Sequence, residues 1–146
     1  MIARIHTSLP TTAADAWKML LQRDAFLYIT HGMLGFRGAE EWPEVFAEGQ
    51  VIETQLLFLN IFPVWKHRSH VIRVDHENMK IASQEEGGCI RRWNHRIWIE
   101  GGSESSCKYT DEIDIDAGIF TFFIWIYAHV FYRYRQRRMR KLADRL

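Results

Sequence analysis

The stretch "WNHRIWIEGGSESSCKYTDEIDID", residues 93–116, decides the fold, because it has the pattern of two strands joined by a turn. Apolar and polar side chains alternate on both sides of a Gly/Ser-rich segment, which is typical of strands that bury one face. A five-residue loop, 101–105, would pair Glu100 with Ser106. The sequence therefore predicts an antiparallel β-hairpin with this register.

The predicted register places His95 directly opposite Asp111 on the inward face of the hairpin. The other inward residues are mostly apolar: Trp93, Ile97, Ile99, Cys107, Tyr109 and Ile113. Directly opposite residues have Cβ atoms about 4.5–5.5 Å apart, which allows a side-chain hydrogen bond. The pair could work in a cavity, with Asp111 orienting the imidazole and His95 exchanging a proton with a ligand. The alternative is that two buried polar groups satisfy each other and fix the strand register.

The rest of the chain predicts strands on both sides of a helical segment. A first strand covers 2–8, and a helix over 11–22 is capped by Thr12 and Asp15. A short second helix covers "DAFLYI" and ends before the glycines at 32, 35 and 38. Further strands are predicted at 43–47, 50–59, 64–75, 79–86, 90–100 and 105–116, separated by turn residues.

A long C-terminal helix is predicted from about Phe120 to Ala143. One apolar stripe, expected to face the sheet, contains Phe120, Phe123, Ile124, Tyr127, Phe131, Tyr134, Arg138 and Leu142. A second stripe contains Phe122, Trp125, Ile126 and Val130, and could pack on the short helices, form a homodimer or touch a membrane. No linker interrupts residues 1–146, so we expect one α+β domain. Its seven-stranded antiparallel curved sheet, with two short helices after strand 1, would wrap around the long helix.

Several motifs resemble the SRPBCC (START/Bet v 1-like) superfamily, whose fold is called the helix grip. The segment "GGCIRRWNHRIWIEGGSESSCKYTDEIDID" is similar to the G-P-F-x-x-W-x-H-x-H-x-F and T-x-x-x-D-x-V-x-Y strands of bacterial cyclase/dehydrase-like members. The matching positions are Gly88, Trp93, His95 and Asp111. "FAEGQVIETQ" resembles the family's F-x-x-G strand start, and "VFYRYRQRRMRKLADRL" its F-x-x-R-x-x-x-L helix end.

The chain departs from that pattern at four positions, which leaves the subfamily open. Cys89 stands where proline is usual, Ile90 replaces phenylalanine, Ile97 stands where a second histidine is often found, and Cys107 replaces threonine. The resemblance implies a hydrophobic cavity between helix and sheet. Members of the family bind or transport lipids, hormones and polyketides, and a minority catalyse cyclisation or dehydration.

We therefore expect the protein to bind a small, largely hydrophobic molecule between the sheet and the C-terminal helix. The expected lining is Trp93, His95, Ile97, Tyr109, Asp111, Phe123, Tyr127 and Phe131. One alternative is a cyclase/dehydratase-type enzyme that uses His95 as general acid/base with Asp111. Another is a membrane-peripheral or partner-binding module that uses the second stripe and the basic tail. No cofactor is expected.

Charge is distributed unevenly along the chain. Residues 133–146 hold seven Lys/Arg and one Asp, a local +6, whereas residues 1–132 hold twelve Lys/Arg and seventeen Asp/Glu, a local −5. A basic helix end can attract an anionic surface, but no base-reading motif accompanies it, so nucleic-acid binding is not expected.

The apolar run 119–132 has 14 residues, fewer than the about 17–25 that a membrane span needs. It predicts a buried or interfacial helix.

Histidines and cysteines show no metal-binding pattern. His67 and His70 are three residues apart, which places them on opposite faces of a strand, where they cannot share a metal. We expect both to be exposed strand histidines. Cys89 and Cys107 lack a C-x-x-C spacing, and the predicted hairpin keeps them apart. The segment "MIARIHTSLP" has Arg4 and His6 where a signal peptide needs an apolar core, so a reducing cytoplasm is expected.

Overall fold

The computed structural model describes residues 1–146 as one curved antiparallel sheet that wraps around a long helix. The seven strands are β1 (Ile2–Leu9), β2 (Leu34–Phe36), β3 (Val51–Phe58), β4 (Phe62–Asp75), β5 (Lys80–Gly87), β6 (Ile90–Ser103) and β7 (Ser106–Asp116). The helices are α1 (Ala13–Leu20), α2 (Arg23–Thr30) and α3 (Thr121–Ala143), with short 3-10 turns at Ala39–Glu41 and Gly118–Phe120. The predicted helix-grip architecture is confirmed.

The strand order is β1-β7-β6-β5-β4-β3-β2, so consecutive strands from β2 to β7 form a meander and β1 pairs with the last of them. Register shifts interrupt four of these pairings, at residues 55–57, 71–73, 85–87 and 101–103. Because a bulge bends its strand and increases the local twist, these irregularities allow the sheet to curl around α3.

One predicted strand is wrong. Residues 43–47 form no strand and make only an isolated bridge between Val45 and Gln22, whereas Leu34–Phe36 is the second strand. Glycine-rich sequence around Leu34–Phe36 gave no strand signal, since Gly35 lacks a side chain to alternate. A side chain at Gly35 would approach the backbone of Asn60 to about 3.2 Å, so it would fit only if Asn60 shifted by a few tenths of an ångström.

The N-terminal helical segment follows its sequence signals closely. Thr12 is the N-cap of α1, and its hydroxyl accepts a hydrogen bond from the Asp15 backbone N–H at 3.1 Å. Trp17, Met19 and Leu20 of α1 are buried against the ends of β6 and β7. Helices α1 and α2 thereby close one end of the curved sheet.

Helix α3 is rotated by one residue relative to the predicted contact face. Its buried residues are Ala128, Phe131, Tyr132, Arg135, Gln136, Met139 and Ala143. Except for Phe131, each of these residues follows a residue of the predicted stripe by one or two positions. A shift of one residue corresponds to a rotation of about 100° around the helix axis. The first half of α3 is apolar on nearly all sides, and therefore cannot fix this rotation.

The second apolar stripe of α3 does not pack on the short helices, which removes one of its three expected alternatives. Phe122, Ile126 and Val130 are exposed. Trp125 is partly buried and its indole N–H donates to the Ile2 carbonyl at 2.8 Å. No helix of the protein has the length and apolar character needed to cross a membrane.

Candidate ligand cavity and its buried polar network

A cavity of about 340 Å³ lies between the sheet and α3. Twenty-five of its 32 lining residues are hydrophobic, and they belong to both parts of a divided core. Met19, Ile29 and Met139 line it from one core cluster, and Trp93 and Phe131 from the other. The two clusters are thus separated by space that the chain itself does not fill. Ligand sites in proteins typically have about this size or larger, from about 300 to 1,000 Å³.

The structure brings five of the eight expected lining residues to the cavity wall: Trp93, His95, Ile97, Tyr127 and Phe131. Tyr109 and Asp111 are fully buried behind this wall, where Asp111 contacts His95 and Tyr109 contacts Asp111. Phe123 is wrongly placed by the sequence, because its side chain is 68% exposed. The rotation of α3 explains this error, since a turn of about one residue moves Phe123 to the exposed side of the helix and brings Ile124 to the cavity wall.

The hairpin register differs from the predicted one by two residues. Ile97 lies opposite Asp111, and His95 lies opposite Ile113. The connecting turn contains only residues 104–105, which alone would shift the pairing by three residues, and an irregularity between Gly101 and Ser103 reduces this shift to two. The inward face is unchanged, because side chains alternate with period two.

His95 and Asp111 are nevertheless hydrogen-bonded across the two strands. His95 Nε2 lies 2.8 Å from Asp111 Oδ1, along the diagonal of the antiparallel pair, which is within reach of a long side chain. The Tyr109 hydroxyl donates to the same oxygen at 3.1 Å. The Gln136 amide donates to Asp111 Oδ2 at 2.9 Å and to the Ile5 carbonyl at 2.9 Å. One carboxylate therefore connects β6, β7 and α3.

The surroundings of Asp111 favour its charged form. Burial alone would raise the pKa of Asp111, but the hydrogen bond from His95 and the positive charge of Arg135 outweigh burial, so its pKa is lowered. Burial and the adjacent Asp111 charge raise the pKa of Tyr109 well above its ordinary value, so this phenol remains a hydrogen-bond donor. The network is fully supplied with donors, which a buried carboxylate requires.

A second histidine–carboxylate pair, absent from the sequence prediction, lines the cavity nearby. His67 Nε2 lies 2.9 Å from Glu85 Oε2, and Ser83 donates to Glu85 Oε1 at 3.2 Å. Burial would raise the pKa of Glu85, but the hydrogen bond and charge of His67 lower it. The expectation that His67 is an exposed strand histidine is wrong, because its side chain is only 10% exposed. The sequence did contain a signal for this: residues 67, 69 and 71 alternate along β4, which places His67 on the same face as the apolar Val71.

These two carboxylates predict acid sensitivity of the fold. Their pKa values are below the ordinary 3.8 and 4.5 in the folded chain, so the unfolded chain binds more protons as the pH falls. The stabilisation is present above about pH 5 and is lost as the pH falls through the lowered values. Urea unfolding measured from pH 6 to pH 3 should show that the free energy of unfolding falls below about pH 5. An Asp111→Asn/Glu85→Gln double variant should show a shallower dependence; an unchanged slope would refute the assignment.

Solved structures share this fold across nearly the whole chain, at low sequence identity. The chain has the helix-grip fold of START/Bet v 1-like proteins. A START superfamily protein from Mycobacterium smegmatis superposes with a TM-score of 0.75 at 7% identity, covering 99% of this chain and 97% of the other. A protein from Chromobacterium violaceum gives 0.75 at 9% identity, covering 98% and 96%.

A third similar structure is norcoclaurine synthase from Thalictrum flavum, solved in complex with dopamine and hydroxybenzaldehyde. It superposes with a TM-score of 0.69 at 15% identity, covering 99% of this chain and 87% of the enzyme. No protein-family model matches the sequence, and no curated protein matches it. At these identities the comparisons establish the fold.

Proposed function

We propose that this protein binds a small, largely apolar molecule in the cavity between the sheet and α3. One observation carries the proposal: the buried polar atoms without a partner are concentrated around this cavity. Six buried side-chain polar atoms lack a hydrogen-bond partner, and four belong to the cavity-lining residues Trp65, His67, Tyr127 and Arg135. Folded proteins leave few buried polar atoms unpaired, so a group of them among the residues that line one apolar cavity fits a site that binds a ligand.

The known structures with this fold support the proposal. Norcoclaurine synthase holds dopamine and hydroxybenzaldehyde, two small aromatic molecules, on a chain with the same architecture. In the present chain, aromatic rings line the cavity: Tyr127 stacks on Phe131 with ring centroids 5.9 Å apart, and its ring centroid lies 6.2 Å from that of Phe58. Aromatic walls offer a large apolar contact area with few polar atoms.

A neutral fluorescent probe tests the proposal without knowledge of the natural ligand. 1-Aminoanthracene is apolar and its emission rises when it leaves water. Titration into the protein should give saturable binding of one probe per chain, because the structure offers one cavity of suitable size and polarity. Absence of saturable binding by the folded protein would reject the proposed function.

Acid–base catalysis by His95 is a second candidate, of the cyclase/dehydratase type. It is favoured by one arrangement: His95 lines the cavity while Asp111 holds its Nε2, so that Nδ1 remains for proton exchange with a bound molecule. A carboxylate that fixes one ring nitrogen is the usual way to orient a catalytic imidazole.

Replacement of His95 distinguishes this candidate from binding alone. Wild-type protein should remove water from a β-hydroxy ketone in a panel of polyketide-like compounds, as followed by mass spectrometry. His95→Gln should abolish this turnover while His6→Gln, on the exposed face of β1, leaves it unchanged. Turnover that survives in His95→Gln, or that is absent from the wild type, would refute catalysis by His95.

A further inference from the structure

Arg135 differs from every other basic residue of the C-terminal helix. Its side chain lines the cavity and the residue is 4% exposed, whereas Arg133, Arg137 and Arg140 face the solvent. Its Nε has no hydrogen-bond partner, and no ion pair of the chain includes it. A buried cation without a hydrogen-bonded partner is rare, because burial of a charge is strongly unfavourable unless it is paired.

The local surroundings retain the charge of Arg135 without satisfying its N–H groups. Burial would lower the pKa of Arg135, but the negative charge of Asp111 and the neighbouring Tyr109 raise it. The guanidinium carbon lies 4.9 Å from the Tyr132 ring centroid, and 5.7 and 5.8 Å from those of Phe26 and Phe131. Aromatic faces stabilise a cation electrostatically, yet they accept none of the in-plane hydrogen bonds that a guanidinium offers.

The two carboxylates whose charges act on Arg135 are already engaged elsewhere. Asp111 accepts from His95, Tyr109 and Gln136, and Glu85 bonds to His67 and Ser83. Neither has an oxygen within 4.0 Å of an Arg135 nitrogen.

We propose that the ligand of this cavity is an apolar molecule with a carboxylate at one end, and that Arg135 binds this carboxylate. The inference rests on the proposed function and specifies its ligand class. A guanidinium presents two parallel N–H groups that match the two oxygens of a carboxylate. The apolar walls on either side then accommodate the remainder of the molecule, whether it is an alkyl chain or an aromatic ring.

Paired acids and alcohols test the carboxylate preference directly. Dodecanoate is compared with 1-dodecanol, and 2-naphthoate with 2-naphthalenemethanol, by displacement of 1-aminoanthracene. Wild-type protein should bind the acid of at least one pair about tenfold to hundredfold more tightly than the alcohol. Hydrogen bonds between charged groups contribute more free energy than neutral ones, and the difference for a carboxylate on a guanidinium corresponds to this range of affinities. The pair that shows the preference identifies the aliphatic or aromatic class.

Substitution at Arg135 assigns the preference to its guanidinium. Arg135→Met, of similar shape, should remove the preference by lowering the affinity for the acid. The affinity for the alcohol should stay within about threefold of the wild-type value, because the change is apolar and similar in size. Arg135→Lys should keep part of it, because an ammonium is a point charge without the planar fork. Arg137→Met, two residues along α3 on the exposed face, is the matched control and should behave like wild type.

The outcomes separate this inference from the proposed function. If neither acids nor alcohols displace the probe, and the probe itself does not bind, the proposed function fails. If alcohols bind as tightly as acids in the wild type, or if Arg135→Met keeps the acid preference, the role of Arg135 is refuted while ligand binding stands. The wild-type comparison decides the carboxylate preference even if Arg135→Met unfolds.

Discussion

Asp111→Ala should lower the free energy of unfolding by about 3–5 kcal/mol, as expected when the charged acceptor of a buried hydrogen-bond network is removed. The substitution leaves His95 Nε2, the Tyr109 hydroxyl and one Gln136 donor without their acceptor in a fully buried site. It also removes the negative charge that contributes most to the raised pKa of Arg135. Chemical denaturation followed by tryptophan fluorescence measures the change, since Trp93 lies on the same inward face.

Asp114→Ala is the matched control for this large effect. Asp114 lies three residues along β7 on the outward face, is 37% exposed, and pairs with Arg92 at 3.0 Å. Exposed ion pairs contribute about 0–1 kcal/mol, so the control should change stability little. Equal losses in the two variants would show that the Asp111 network does not hold β6, β7 and α3 together.

Ser83→Phe should reduce the affinity for 1-aminoanthracene by about 100-fold or more, corresponding to about 2.8 kcal/mol. Ser83 is a small residue on the cavity wall, on β5 beside Glu85, and a phenyl ring there enters the space of about 340 Å³. The ring fills a pre-existing cavity rather than a packed core, but the variant also loses the hydrogen bond from Ser83 to Glu85. The loss of stability should therefore stay within about 1–3 kcal/mol.

The neighbouring residue provides the control for cavity filling. Gln84→Phe introduces the same side chain one position along β5, where alternation directs it to the exposed outer face. This variant should bind the probe like wild type. If Ser83→Phe folds and retains wild-type affinity, the probe occupies some other part of the molecule and the cavity is not the site.

The sequence predicted the architecture well because its strongest signals are local. The turn residues between strands, the Thr12 cap and the alternation of residues 93–116 each depend on neighbours along the chain. The START/Bet v 1-like resemblance of Gly88, Trp93, His95 and Asp111 agrees with the observed fold. Gly88 has a left-handed φ of 55°, and a side chain there would collide with the Trp65 ring of the cavity wall.

The errors arise where tertiary contacts decide between local alternatives. The hairpin register depends on an irregularity at Gly101–Ser103, and either register places the same residues inward. In the observed rotation of α3, two polar residues within a basic run, Arg135 and Gln136, reach into the core instead of the solvent. Periodicity of apolar residues cannot identify such positions, because the first half of the helix is apolar all round.

The same limitation explains the incomplete candidate site. His95 and Asp111 could be predicted from the sequence because the family pattern and one hairpin place them on a common face. His67, Glu85 and Arg135 come from three separate elements, β4, β5 and α3, and only the curvature of the sheet brings them to one cavity. A polar residue on an otherwise apolar face is therefore the signal to examine in related sequences of this length.

Native mass spectrometry tests the central claim most directly. Purified wild-type protein is stripped with organic solvent, refolded, incubated with the total organic extract of the cells that produce it, and measured beside Ser83→Phe treated identically. We predict that the wild type carries one small organic molecule per chain and that Ser83→Phe carries none. A spectrum in which the folded wild type shows only the bare chain, or in which both proteins carry the same molecule equally, would contradict ligand binding in the cavity.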